Sequence, residues 1–314
     1  MWRNRFVQPP SLKSGDTIGL VSTSSPVTPQ ELGRLVGYFR NRGHPVKIGS
    51  HTSLSTGYLA GTAERRAADF MAAVLDPEIR AIVPTSGGKG AAHLLSLIDY
   101  DAVRANPKVI TGISDPSILL NAILAQSGLV TLHGPSGYDF FQPHVDRETE
   151  RDFWRIVTSP VQGRVVSADT WRVIRGAGTS VRGRVIGGHL GTIRSLVGTP
   201  WIPDSTGAVL ILEEVFVPWS EVDQALTHLR LAGVFDQVAA VVMGVPVDCP
   251  RDNSPDADWD SLILRCVGGS FPVLANVEFG HTARKIPLVI GGEVELTLDP
   301  TAPQLEYLGD LVRS

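Results

Sequence analysis

Gly112-Ile113-Ser114-Asp115 joins a β-branched run, Val109-Ile110-Thr111, to an apolar helical pattern that includes Ile118, Leu119, Leu120, Ile123 and Leu124. A serine on such a strand-to-helix turn carries its hydroxyl out of the sheet. It also sits near a helix N-terminus, where free N–H groups and the helix dipole favour developing negative charge. That is the setting of a nucleophile. The same residues also fit a plain helix start, with Ser114 as the N-cap and Pro116 in the first turn. Three other positions could complete a reaction centre: Gly87-Gly88 after one strand pattern, Glu213 at the end of another, and His281 in the loop Glu278-Phe279-Gly280-His281-Thr282. Serine, histidine and glutamate are the nucleophile, base and orienting acid of a proton relay. Each has an ordinary reading too, since a strand-end glutamate is commonly just solvated and a loop histidine commonly lies at the surface. Spacing alone leaves open whether the three meet.

The elements that must position these residues alternate along the first half of the chain. Thr17 to Val21 reads as a buried strand, Gln30 to Asn41 as a helix with Leu32, Leu35, Val36 and Phe39 on one face, and Pro45 to Ile48 as the next strand. A helix over Thr62 to Leu75 takes Thr62 as its N-cap, and Ile79 to Val83 is a strand. The glycine loop Ser86 to Gly90 leads into a helix over Ala91 to Ser96. This alternation predicts an α/β fold, with a parallel sheet covered on both faces and functional groups at the carboxyl ends of its strands. The pattern fades between Gln142 and Arg182, apart from a helix over Arg147 to Val157. We therefore expect an N-terminal α/β domain over 1–158, a linker or flap over 159–182, and a smaller C-terminal α/β domain over 183–314. The last should contain a strand over Ala208 to Leu212, an amphipathic helix over Ser220 to Leu231, and a strand over Val238 to Met243. Ser220 and Asp223 form a capping arrangement at that helix start, and Val289 to Leu298 is a closing β segment.

Bulk properties narrow the function classes. The chain has 314 residues, 43% hydrophobic and 19% charged, with a net charge of −4. No basic cluster stands out, so neither nucleic acid nor a membrane surface is an expected partner. Two cysteines, Cys249 and Cys266, suit neither a disulfide framework nor a cysteine metal site. The stretch Met1 to Ser14 has no apolar core of a secretory signal, and no run approaches the ~18 apolar residues of a membrane span. A cytoplasmic protein is expected. The histidines at 133, 144, 189 and 281 are scattered and no His-Glu-x-x-His occurs, which argues against a metal centre. The loop Ser86 to Gly90 lacks a phosphate-loop pattern because Ala91 follows Gly90, and Pro116 stands where the general α/β-hydrolase elbow needs glycine.

Together these motifs amount to a resemblance. Ser86-Gly87-Gly88, Leu94-Leu95, Ile98-Asp99-Tyr100-Asp101, Asn106-Pro107-Lys108 and Gly112-Ile113-Ser114-Asp115 resemble the LD-carboxypeptidase family of serine peptidases, nearest its microcin C immunity branch. Leu12-Lys13-Ser14-Gly15-Asp16-Thr17-Ile18 fits upstream. Gly183 to Leu190, Leu212-Glu213-Glu214-Val215 and Phe279-Gly280-His281-Thr282 continue it downstream, so the resemblance spans nearly the whole chain. It implies a flavodoxin-like N-terminal domain, a Ser–Glu–His order with Ser114 as nucleophile and His281 as base, and no cofactor. Strand alternation does not choose between Glu213 and Glu214; the family pattern implies Glu213. The oxyanion hole would be the backbone N–H groups of Gly88 and Asp115, a role open to glycine and to a helix start but closed to Pro116. A homodimer is also implied.

The chain departs from that branch where substrate would be held. Lys89-Gly90-Ala91 replaces polar residues after the Gly-Gly loop, Val217 stands where a lysine is usual, and His189 where an asparagine is usual. Ser86 and Lys89 are secondary candidates for substrate binding, as is Trp171, either a stacking face or a packing anchor. The expected substrate is a small peptide or aminoacyl conjugate cleaved at an amide. The alternatives are an acyl-transfer or hydrolytic enzyme of a dedicated biosynthetic or self-resistance route acting on a small amide or ester conjugate, and a binding protein that keeps the fold with reduced chemistry.

Overall fold

Strand and helix alternate from Thr17 onward because short β-branched runs are separated by capped amphipathic helices. The structure, a computed structural model, describes residues 6–143 and 145–313. His144, weighed above among the scattered histidines, lies outside the described residues, as does the start of the stretch read for a signal sequence. The first half runs β1 (Thr17–Val21), α1 (Pro29–Asn41), β2 (Val46–Ile48), α2 (Ala63–Leu75), β3 (Ile79–Pro84), α3 (Tyr100–Ala105), β4 (Val109–Gly112), α4 (Ser117–Ser127) and β5 (Thr131–His133). Thr28 caps α1 with a reciprocal capping box to Glu31, and Thr62 caps α2 by accepting from Arg65 N–H. The helix expected over Ala91 to Ser96 is a 3-10 helix, Ala91–Leu97.

After α5 (Arg147–Thr158) come β6 (Val165–Val166), β7 (Arg172–Arg175), β8 (Ser180–His189), α6 (Leu190–Arg194), β9 (Ala208–Glu213), α7 (Trp219–Leu231) and β10 (Ala240–Gly244). The chain closes with α8 (Trp259–Val267), β11 (Val273–Val277), β12 (Leu288–Ile290), β13 (Glu293–Thr297) and β14 (Gln304–Tyr307). Two sheets result, a mixed α/β architecture. The first has the order β12-β5-β4-β3-β1-β2, parallel except where β12 meets β5. The second has the order β6-β14-β13-β8-β9-β10-β11-β7, with β8 to β11 parallel and antiparallel strands on both flanks.

Three local expectations change. The 159–182 segment, expected as a linker or flap, supplies both edge strands of the second sheet, β6 and β7, and starts β8. Its polar sequence suits edges, where one face of each short strand meets water. The closing segment Val289 to Leu298 divides at Gly291, whose φ of +88° turns the chain. Its first part, β12, pairs with β5 in the first sheet, and only β13 joins the second. Helix α7 begins one residue earlier than expected, after Pro218, and Ser220 does not cap it. Its hydroxyl bonds Asp252, while Asp223 pairs with Arg265.

Helix α4 lies where the two sheets meet. Nine of its eleven residues are buried, so it has no solvent face, and it packs against β8 and α6 as well as β4 and β5. Asn121 on this helix is the polar exception. Its amide donates to Gly187 O (2.7 Å) and Ser117 O (2.8 Å) and accepts from Gly187 N–H (2.9 Å). This buried, fully used amide ties the helix after Ser114 to the end of β8.

Candidate active site

Ser114 follows β4 and has φ of +65°, a left-handed conformation that costs a non-glycine residue about 1–3 kcal/mol. The helix starts only at Ser117, with Pro116 in the N-cap position and no side-chain cap, so Ser114 is not its N-cap. It occupies a tight elbow closed by Ser117 N–H donating to Ser114 O (2.9 Å). Glycines make the elbow possible. A Cβ on Gly112 would lie 2.8 Å from Pro116 Cβ, and one on Gly87 would lie 2.9 Å from Ser114 Cβ. The glycine loop therefore runs directly against the serine.

That loop is tied down at several points. Ser25 N–H donates to Gly87 O (3.2 Å) and Lys89 N–H to Ser25 Oγ (3.3 Å). Gly88 has φ of +113°, and a Cβ there would collide with Ser25 Oγ at 2.0 Å. The buried guanidinium of Arg66 donates to Gly90 O (2.8 Å), and Asp115 Oδ2 accepts from Ala91 N–H (2.7 Å). Burial pushes the Asp115 carboxyl up, against hydrogen bonds from Ser24 and the Ala91 and Gly90 amides that favour its charged form. The family resemblance implies only the backbone N–H of Asp115. Its side chain is also part of the site, because it fixes the loop that carries Gly88.

Glu213 ends β9 with a fully buried side chain, and His281 Nδ1–H donates to its Oε2 (2.8 Å). A carboxylate only accepts, so this bond puts a proton on Nδ1 and leaves Nε2 as the basic nitrogen. Burial, the largest influence, would raise the Glu213 carboxyl. The charge and hydrogen bond of His281, with His189 and His133 beyond, outweigh it and hold the group at about 2. Gly280 (φ +87°) allows the pair to form, since a Cβ there would lie 2.5 Å from the Glu213 carboxyl carbon. Of the two adjacent glutamates, Glu213 meets His281. Glu214 instead accepts from His189 Nε2 (2.8 Å), Gly191 N–H (3.0 Å) and Val215 N–H (3.0 Å). Burial opposes charge on His189, but the Glu214 hydrogen bond and the charges of Glu213, Glu214 and Asp115 raise it. The His189 and His281 rings meet edge to face at 5.6 Å.

Ser114 approaches this group through its neighbours. Gly188, one residue before His189, faces Ser117 at the start of α4. No hydrogen bond joins Ser114 to His281 among the described residues. Ser86 Oγ donates to Ser25 O (3.2 Å), within the loop, and Lys89 is exposed. Trp171 is only 4% exposed, and its indole N–H donates to Glu278 Oε2 (2.6 Å). Its ring faces are taken up by packing, which corrects the stacking-face reading. Among the described residues no three His, Cys, Asp or Glu side chains are arranged to hold a metal ion. No described helix is long and apolar enough to cross a membrane.

Residues 18–134 match the LD-carboxypeptidase N-terminal domain, and residues 182–296 match the LD-carboxypeptidase C-terminal domain. The chain belongs to the LD-carboxypeptidase family. It is a serine peptidase. The peptidase is 31% identical to the microcin C7 self-immunity protein MccF of Escherichia coli, over 92% of each chain. It is 28% identical to a probable murein peptide carboxypeptidase of Bacillus subtilis, over 94% of this chain and 93% of that one. Among solved structures, MccF in complex with glutamyl sulfamoyl guanosine superposes with a TM-score of 0.87 at 28% identity, covering 96% and 99% of the two chains. The muramoyltetrapeptide carboxypeptidase of Oxalobacter formigenes gives 0.84 at 26% identity, over 95% and 100%. Ser114 falls in the first matched domain, Glu213 and His281 in the second.

Proposed function

We propose that the peptidase cleaves an amide by an acyl-enzyme route with Ser114, His281 and Glu213 as its triad. The hydrogen bond from His281 Nδ1 to the buried carboxylate of Glu213 carries this reading. His281 Nε2 takes the Ser114 proton as Oγ attacks the carbonyl carbon. The oxyanion is met by the N–H groups of Gly88 and Asp115, neither of which donates to another described residue. Collapse breaks the C–N bond, with the proton passing from His281 to the leaving amine. Water, deprotonated by the same nitrogen, then hydrolyses the ester. A serine-directed fluorophosphonate should label the wild type and not Ser114→Ala. Labelling that survives in Ser114→Ala would overturn the assignment.

For substrate, we favour a small aminoacyl conjugate over a muropeptide. A missing polar contact in a pocket can cost orders of magnitude in discrimination. Gly90, Ala91 and Val217 remove groups that would meet a free carboxylate or amine beside the scissile amide, and the similar MccF is solved in complex with an aminoacyl conjugate, glutamyl sulfamoyl guanosine. An aminoacyl sulfamoyl-adenosine should be cleaved faster than an L-Ala-D-Glu-diaminopimelate-D-Ala tetrapeptide. Rapid release of the terminal D-Ala would reverse that order. The proposed working form is a cytoplasmic homodimer, with Cys249 and Cys266 unpaired as a reducing compartment requires. A monomer in light scattering at micromolar concentration would remove the dimer from this reading.

A further inference from the structure

Eight buried side-chain polar atoms have no hydrogen-bond partner among the described residues. Four of them, Ser117 Oγ, His133 Nε2, His189 Nδ1 and Glu213 Oε1, belong to residues grouped around the Glu213–His281 pair. Buried polar atoms are almost always satisfied, by protein or by internal water, so this concentration marks a place. Gly188 defines it. With φ of +138°, a Cβ on this residue would lie 2.8 Å from His133 Cδ2 and 3.0 Å from Ser117 Oγ. The imidazole and the hydroxyl thus both pack closely against the bare Cα of Gly188, which brings them beside each other. Across the sheet Gly188 registers with Leu212, the residue before Glu213. The Asn121 clamp on Ser117 and Gly187 fixes two walls, and Phe279, edge to face with His133 at 5.8 Å, closes the apolar side.

The chemistry of the three lining groups is complementary. Glu213 Oε2 is used by His281, so Oε1 is a buried acceptor in need of a donor. His133 is 1% exposed, and burial pushes its imidazole down to about 4. It is therefore neutral at physiological pH and can donate a single N–H. Ser117 both donates and accepts. None of these atoms has a hydrogen bond to another described residue, and the donor and acceptor capacity of one water matches all three. We infer that one ordered water sits behind the Glu213 carboxylate, bound by Ser117 Oγ, His133 Nε2 and Glu213 Oε1, and that His133 and Ser117 are positioning residues that hold the acid through it. This rests on the triad reading, because the consequence is a carboxylate that cannot turn away from His281.

The charged and titratable groups facing Glu213 are His281, His189, His133 and the Cys249 thiol, with Glu214 and Asp115 acting on His189. Donors on Glu213 stabilise its anion most when His281 is neutral, which is the active form. Removing them makes the pair as a whole easier to protonate, so activity should fall off at a higher pH. The test is the rate of fluorophosphonate labelling of Ser114 against pH in wild type, His133→Phe, His133→Gln and Ser117→Ala. His133→Phe should label about ten- to a hundredfold more slowly at neutral pH, with its acid limb moved upward. Ser117→Ala should shift in the same direction by less, and His133→Gln, which keeps a polar head, should recover most of the rate. Wild-type rates and an unmoved acid limb in His133→Phe and Ser117→Ala would overturn the inference. If His133→Phe does not fold, His133→Gln and Ser117→Ala decide it. A high-resolution crystal structure should show the water within hydrogen-bond distance of all three atoms, and direct contact there without water would overturn it too. Failure of the wild type to label would instead count against the triad itself.

Discussion

Ser114 and Glu213 both lie at the carboxyl ends of parallel strands, one in each sheet, yet their surroundings differ in kind. Around Ser114 the chain uses backbone shape. The serine takes a left-handed φ, Gly112 and Gly87 leave room for the elbow, and Gly88 turns beside Ser25. Around Glu213 it uses charge. A carboxylate without solvent contact is held ionised by His281, with His189 and His133 close by. A site assembled this way should respond to added atoms on one side and to altered charge on the other. Where both sides contribute to one step, either kind of damage should be severe.

The largest loss is expected from Ser114→Ala, about four to six powers of ten in kcat on a verified substrate, with the circular dichroism spectrum unchanged. Near-normal turnover would remove the backbone side from the reaction. Next comes Glu213→Gln, which should cost about three to four powers of ten in kcat, whereas Glu214→Gln should cost no more than about tenfold. Equal losses would erase the distinction between the two carboxylates. Third, Gly280→Ala and Gly87→Ala separate stability from geometry. Gly280→Ala places a Cβ against the Glu213 carboxyl at positive φ and should lower both kcat and thermal stability, the latter by about 1–3 kcal/mol. Gly87→Ala needs no strained φ, so it should reduce kcat about a hundredfold through the displaced Ser114 with a smaller stability change.

The smallest effect is on stability against pH. The Glu213 carboxyl moves from its ordinary 4.5 to about 2 on folding, so its contribution is present above 4.5 and is lost as pH falls toward 2. Denaturant titrations of wild type and Glu213→Gln should show a gap at neutral pH that narrows across that window. A constant gap would mean that the buried charge adds nothing that depends on ionisation.

Much of this site was legible from residue order. The run Val109 to Thr111, the glycine at 112 and the apolar stretch beyond Pro116 dictate a strand, a tight turn and a buried helix, because β-branched spacing and proline restrict the backbone locally. The capping residues Thr28 and Thr62 were readable for the same reason. Contacts between distant segments were not. Strand alternation could not say which glutamate meets His281. That follows from Gly244 and Gly280 closing on Glu213, while His189 and the Gly191 amide draw Glu214 the other way. The Asp115 carboxylate, Arg66 and Asn121 owe their roles to burial, which gives each a backbone partner far away in the chain.

Local chain chemistry, then, determined the order of strands and helices, the elbow at Ser114 and the residue types of the proposed triad, since these depend on φ restriction and on side-chain periodicity within a few residues. Only the tertiary structure decided that β12 leaves the second half of the chain to pair with β5, that 159–182 supplies both edges of a sheet, that Trp171 is a packing anchor, and that Glu213 rather than Glu214 holds His281. Each of those outcomes turns on which segments exclude water from one another. That is a property of the packed molecule, and no window of neighbouring residues contains it.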